Sequence, residues 1–83
     1  MKEVIDYRNY ILTPEERRAI LSKEAFTIED IAKLYGFRYA DAQQLVLAIR
    51  RHSKDRLHRS GIVHVLDYCE HFGMTLVDLR GAQ

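Results

Sequence analysis

The sequence predicts a small, mostly helical domain, namely a helix-turn-helix domain of four to five helices with at most a vestigial β wing. The main observation is that Gly36, Phe37 and Arg38 alone separate two runs of apolar residues with helical periodicity. A second is a set of Thr residues placed where helix N-caps are expected. A third is size, since 83 residues with 47% hydrophobic content suffice for one core and predict a single domain over residues 1–83.

The N-terminal residues 1–12 follow neither the strand nor the helix period. Tyr7, Tyr10 and Ile11 give this segment enough apolar surface to cover a core. We expect an N-terminal arm that packs on its own domain or on that of a second subunit.

The next helix has a clear start, with Thr13 as N-cap, Pro14 at the first helical position and two Glu residues in the first turn. Ala19 and Ile20 are expected to form its narrow inner face, with the stem of Arg17 beside them.

Residues 27–52 are predicted to form two helices joined by a very short turn. Thr27 and Asp30 have the spacing of a capping box, and Phe26 and Ile31 that of a hydrophobic staple. Gly36 ends the first helix because glycine readily adopts the left-handed conformation. So short a connection is typical of a helix-turn-helix.

The second helix of this unit is expected from about Tyr39 to His52. Its buried stripe follows the i, i+3, i+4, i+7 spacing and comprises Ala42, Leu45, Val46 and Ile49.

The positions of Ala32, Gly36 and Ala42 carry a resemblance to a known group of domains. With the string IEDIAKLYGF, they resemble the helix-turn-helix of excisionase-like and small winged-helix regulators of mobile elements. Arg38 stands where these families often have a Ser or Thr that caps the second helix. The resemblance implies binding to double-stranded DNA, as a small transcription regulator or an excisionase-like factor, with a possible homodimer or cooperative array.

In such proteins the N-terminal half of the second helix reads base edges in the major groove. The expected base-reading residues are Ala40, Gln43, Gln44 and Leu47, and Arg38 and Tyr39 are expected to reach the DNA backbone. Away from the motif, both glutamines would be ordinary surface residues. Leu47 could instead pack under the N-terminal arm, which we expect first, or lie in a dimer contact.

Positive charge is concentrated in the second half of the unit and the segment after it. Residues 38–64 contain six basic and two acidic residues, whereas acidic residues outnumber basic ones on either side. Such a block is typical of a surface that contacts phosphates, although basic residues also suit the end of a helix. The expected phosphate contacts are Arg50, Arg51, Lys54, Arg56 and Arg59.

Residues 53–60 form a basic connector, too short for a two-stranded wing. We expect a truncated wing with one strand over residues 56–59, pairing with the N-terminal segment. A packing helix should follow over residues 61–72, with Ser60 as its cap. Its expected buried stripe is Ile62, Val65, Leu66 and Cys69, and a short helix capped by Thr75 should come before a frayed C-terminus beginning at Arg80.

No catalytic constellation or cofactor motif is present in the sequence, so we expect no enzyme, no cofactor and no small-molecule ligand. His64, Asp67 and His71 share a helix face but lack further ligands, so a metal site is not expected. No apolar run is long enough to span a membrane, and no signal peptide is evident. With a single cysteine, these features indicate a cytoplasmic protein. The alternative function is a helical protein-interaction module without DNA contact, using Leu47 and the Tyr-rich arm as its binding surface.

Overall fold

The computed structural model describes residues 5–51 and 61–81 and confirms a mostly helical domain with a very small β-sheet. In chain order its elements are α1 (Pro14–Leu21), β1 (Ala25–Thr27), α2 (Ile28–Tyr35), α3 (Tyr39–Arg51), β2 (Ile62–His64), α4 (Val65–Phe72) and α5 (Leu76–Arg80). The two strands pair antiparallel in the register Ala25 with His64, Phe26 with Val63 and Thr27 with Ile62.

The predicted helix starts are confirmed at three places. Thr13, Thr27 and Thr75 are N-caps of α1, α2 and α5, and each accepts a hydrogen bond from the backbone N–H three residues on. In each case the acidic side chain at that position accepts the N–H of the Thr in return, which completes a capping box. Local sequence alone therefore fixes where these helices begin.

The core lies between α2, α3, the strand pair and α4. The largest fully buried side chains are Phe26, Ile31, Ile49, Val46 and Val63. The ring of Phe26 packs edge-on against Tyr68, with centroids 5.2 Å apart. The predicted α3 stripe is largely confirmed, because Ala42, Val46 and Ile49 are buried, with Leu45 partly so.

Asp30 is the buried carboxylate at the start of α2. Its Oδ2 accepts hydrogen bonds from Lys23 Nζ at 2.7 Å and from the backbone N–H of Thr27 at 3.0 Å. The same residue is therefore cap partner and ion-pair partner, and it ties the α1–β1 connection to the start of α2.

The strand pair is as small as a vestigial wing, but its strands were not the ones predicted. The predicted strand over residues 56–59 lies outside the described residues. The strand that the structure describes after α3 is Ile62–His64, and it pairs with Ala25–Thr27 instead of with the N-terminal segment. The pairing expected for residues 56–59 stays a prediction. Strand Ala25–Thr27, which was not anticipated, is extended on its way into the Thr27 cap, beside the buried Phe26.

The packing helix begins later than predicted and presents a different face. Residues 62–64 are strand, and the N-cap of α4 is His64, whose Nδ1 accepts the N–H of Leu66, so Ser60 is not the cap. Leu66 is 41% exposed, while Tyr68 and Asp67 are buried with Val65 and Cys69. The shorter helix places Tyr68, not Leu66, against Phe26, which the apolar pattern alone did not reveal.

The inner face predicted for α1 is confirmed only at Ile20, and the fraying predicted from Arg80 was wrong. Ala19 and Arg17 are exposed, and Ile20 with Leu21 forms the inner face of α1. Arg80 does not fray, because its Nε donates to the carbonyl of Leu21 at 2.8 Å. The end of α5 is therefore fastened to the end of α1.

Candidate nucleic-acid interface

The joint between α2 and α3 is built by Gly36 in the left-handed conformation, with φ 66° and ψ 40°. Its backbone N–H and that of Phe37 both donate to the carbonyl of Ala32, which terminates α2. Only Phe37 and Arg38 then precede α3. The predicted stop at Gly36 is confirmed, and the short turn holds α3 directly against α2.

The N-terminal arm pairs with this turn. Asp6 and Arg38 form an antiparallel β-bridge, flanked by hydrogen bonds from Tyr7 N–H to the Phe37 carbonyl and from Tyr39 N–H to the Ile5 carbonyl. The second bond, at 2.6 Å, satisfies a free N–H group at the start of α3. The side chain of Arg38 has no acceptor atom, and the acceptor for the Tyr39 N–H comes from the arm.

Side-chain contacts fasten the arm to α1 and α2. The hydroxyl of Tyr7 donates to Glu29 at 2.8 Å, and that of Tyr10 donates to Glu16 at 2.9 Å. Lys33 Nζ lies 5.2 Å from the centre of the Tyr10 ring. Burial, and then the hydrogen bond to Glu29, raise the pKa of Tyr7 to about 12. The predicted arm therefore covers its own domain at these contacts.

The candidate base-reading residues lie on one face of α3. Gln43, Gln44 and Leu47 are exposed, and Ala40 is partly buried beside them. The exposed Arg51 lies on the same face at the end of the helix. This face presents amide groups, which can donate and accept hydrogen bonds, next to an apolar side chain and a cation.

Leu47 lines a groove of about 290 Å³ on this face. The other residues that line it come from the start of α2, from α3 and from the turn before β2, namely Ile28, Tyr39, Gln43, Val46 and Gly61. No described residue of the N-terminal arm lines the groove, and Leu47 remains 46% exposed. The placement of Leu47 under the arm, which we expected first, is therefore not found among the described residues.

Gly61 was not anticipated as part of this face. It has φ 78°, and a Cβ there would lie 3.4 Å from Ile28 Cδ1. A glycine directly before the apolar run IVHVL is a turn signal that could have revealed it.

Arg50 has a structural contact that the charge pattern did not reveal. Its Nη1 donates to the Ile62 carbonyl at 2.7 Å, in a partly buried position. This hydrogen bond joins the last turn of α3 to β2. The guanidinium of Arg50 therefore binds a carbonyl of its own chain, whereas we expected it to be available for a phosphate.

The remaining predicted contacts divide into two groups. Arg38 is exposed, with Nε 3.6 Å from the Asp41 carboxylate, and Tyr39 is partly buried in the groove. Lys54, Arg56 and Arg59 lie outside the described residues. In the described part of α3, the cation whose side chain makes neither a hydrogen bond nor an ion pair with another described residue is Arg51.

Metal binding, thiol reactivity and membrane insertion can also be examined in the described residues. No three His, Cys, Asp or Glu side chains there gather into a group able to hold a metal ion. Cys69 is buried, and burial raises the pKa of its thiol, which disfavours the reactive thiolate. Across residues 5–51 and 61–81, no helix combines the length and the apolar character needed to cross a bilayer.

Comparison of the chain with protein-family models, with curated proteins and with solved structures gave no match.

Proposed function

We propose that this chain is a sequence-specific DNA-binding protein that reads the major groove of double-stranded DNA with α3. It would act in the cytoplasm as a small transcription regulator or an excisionase-like factor. The observation that carries the proposal is the exposed face of α3, where Gln43, Gln44, Leu47 and Arg51 lie together on a helix held by a short turn. A glutamine can pair with adenine, and a leucine can contact a thymine methyl group. An arginine at the end of the helix can bind a phosphate.

The dimensions of α3 suit this role. The helix has 13 residues, and its exposed face begins within its first two turns. The major groove is about 12 Å wide and admits one α-helix. Because the arm and the turn occupy the start of α3, Gln43 and Gln44 are the first long polar side chains that can reach base edges.

The basic residues around the end of α3 would bind phosphates. Arg51 is exposed there, and the basic residues Lys54, Arg56 and Arg59 follow closely in the sequence. Four phosphate contacts would give a slope of log affinity against log salt of about −3 to −4. Arg50 would act indirectly, by holding β2 and the turn at Gly61 beside the reading face.

A single small domain of this kind reads only a few base pairs, so useful affinity calls for two copies on DNA. We therefore include a homodimer or a cooperative array in the proposal. Half-site spacing in the bound DNA would reveal the symmetry of the arrangement.

The test compares base preferences at each position of a bound duplex for the wild type and for single variants. Gln43→Ala or Gln44→Ala should cost about 1–3 kcal/mol for one preferred base pair and relax specificity at that position. Arg51→Gln should weaken binding to all sequences and reduce the salt slope by about 1. Arg17→Gln on α1 removes an equal charge and should leave both properties unchanged.

Loss of specificity at one position in Arg51→Gln, or none in either glutamine variant, would contradict these roles. Absence of DNA binding at low salt would favour the alternative, a protein-interaction module that uses the same helical scaffold.

A further inference from the structure

A groove of about 400 Å³ lies between α1 and α5, the two helices that are fastened by Arg80. Leu21 and Leu79 are the largely buried apolar residues of its lining. Three arginines also line it, Arg17, Arg18 and Arg80, with one acidic residue, Asp78. The groove is therefore apolar at its base and cationic at its rim.

Arg80 is a fixed cation in this groove. Nε donates to the Leu21 carbonyl at 2.8 Å, and Nη2 donates to the carbonyls of Ser22 and Lys23, each at 3.3 Å. These carbonyls orient the guanidinium without cancelling its charge, and Nη1 takes part in none of the three bonds. A cation held in this way loses little conformational entropy when an anion binds.

The other two arginines of the groove lie on α1. Arg17 and Arg18 are exposed, and within the described residues their side chains make no hydrogen bond and no ion pair. Arg18 also lines a second groove of about 320 Å³ with Leu21, Ser22 and Arg80, so the cationic surface continues past the end of α1.

We propose that the α1–α5 groove docks an acidic segment of a partner protein, with one apolar side chain seated between Leu21 and Leu79. Carboxylates flanking that side chain would pair with Arg17, Arg18 and Arg80. The charge of the rim selects an acidic partner, and the apolar base selects a peptide over a bare phosphate, which would leave Leu21 and Leu79 unused. This docking site is independent of the proposed DNA contact, because α1 and α5 pack on each other, whereas α3 packs mainly on α2, α4 and β2.

The test is selection of peptides from a random displayed library on the full chain, followed by affinity measurement by fluorescence anisotropy. Selected peptides should be enriched in Asp and Glu around one large apolar residue. Their affinity for the double variant Arg17→Gln plus Arg18→Gln should fall about tenfold, since each exposed charge pair contributes up to about fivefold. Both substitutions are at exposed sites whose side chains form no hydrogen bond or ion pair among the described residues. The variant should therefore remain folded, which circular dichroism can verify. Arg51→Gln on α3 is the one-charge control for the single variants Arg17→Gln and Arg18→Gln. It should bind these peptides with unchanged affinity, whereas each α1 variant should lose up to about fivefold.

Several results would overturn the proposal: no enriched peptides, peptides without acidic residues, or equal affinity for the double variant. Equal loss in Arg51→Gln would show attraction to net charge alone. If the double variant instead loses affinity for duplex DNA, the groove belongs to a nucleic-acid surface. If it alters self-association in sedimentation, the occupant is a second copy of this chain.

Discussion

Substitution of Gly36 by Ala tests whether the left-handed turn before α3 matters for DNA binding as well as for stability. Gly36 has φ 66° and ψ 40°, and Gly73 at the end of α4 has φ 65° and ψ 38°. A Cβ added at either glycine meets no atom within 4 Å. The two sites therefore impose the same backbone cost on alanine and no steric cost, which makes them a matched pair.

The magnitude follows from the backbone alone. A left-handed conformation costs an alanine about 1–2 kcal/mol, and the loss of unfolded-state entropy offsets about 0.4–1 kcal/mol of that. We expect each variant to lose about 1 kcal/mol of unfolding free energy and about 4–8 °C in Tm. Asparagine tolerates this conformation better, so Gly36→Asn should lose less.

The assay is urea unfolding followed by circular dichroism, combined with DNA titration under conditions where every variant is folded. Both alanine variants should lose similar stability, but only Gly36→Ala should weaken DNA binding, because only Gly36 sets the position of α3. Wild-type stability in Gly36→Ala would show that the left-handed conformation costs alanine nothing here. Equal loss of DNA affinity in Gly73→Ala would show that the turn at Gly36 has no special role in DNA binding.

Three further predictions concern the residues around α3. Arg50→Gln should lose about 1 kcal/mol of stability in urea unfolding, because the hydrogen bond from Arg50 to a β2 carbonyl is charge-assisted. Arg51→Gln should change stability by less than about 0.5 kcal/mol, and equal effects of the two variants would argue against the structural role of Arg50. The pKa of Tyr7, followed by NMR, should lie near 12 and move toward 10 in Glu29→Gln. Because the pKa is raised in the folded state, the docked Tyr7 stabilises the fold fully below pH 10, and this stabilisation is lost as pH rises toward 12. An unshifted pKa would show that the arm is not docked. Leu47→Ala should cost less than about 1 kcal/mol of stability, because the side chain is half exposed. The same variant should bind thymine-containing sites more weakly. A loss of stability above about 2 kcal/mol would place Leu47 in the core.

Much of the helical architecture could be predicted from the sequence because local signals determine it. The capping boxes at Thr13, Thr27 and Thr75 and the stop at Gly36 depend on residues within one turn of each other. The α3 stripe was equally readable, since its period is carried by a long helix.

The features that sequence reasoning missed depend on partners that are distant in the chain. Strand β2 pairs with β1 across more than thirty positions, and Arg80 reaches the Leu21 carbonyl across a separation of 59 positions. The apolar pattern could not show whether Leu66 or Tyr68 faces Phe26, because both lie near the boundary of the buried stripe.

The candidate site could be predicted only as a helix face. The exposed positions of Gln43, Gln44, Leu47 and Arg51 follow from the helical period. A count of charges could not distinguish Arg50, which binds the Ile62 carbonyl, from Arg51, which faces outward. Nor could it show that the Ile5 carbonyl accepts the first N–H of α3.

Selection of bound duplexes from a random DNA pool, with the enriched sequence titrated at two salt concentrations, measures sequence reading by α3 and phosphate contact together. We expect one enriched motif, whose affinity falls steeply as salt rises, with a log–log slope of about −3 to −4. Salt-sensitive binding without an enriched motif would contradict sequence reading by α3. No binding at low salt would contradict the DNA-binding function itself.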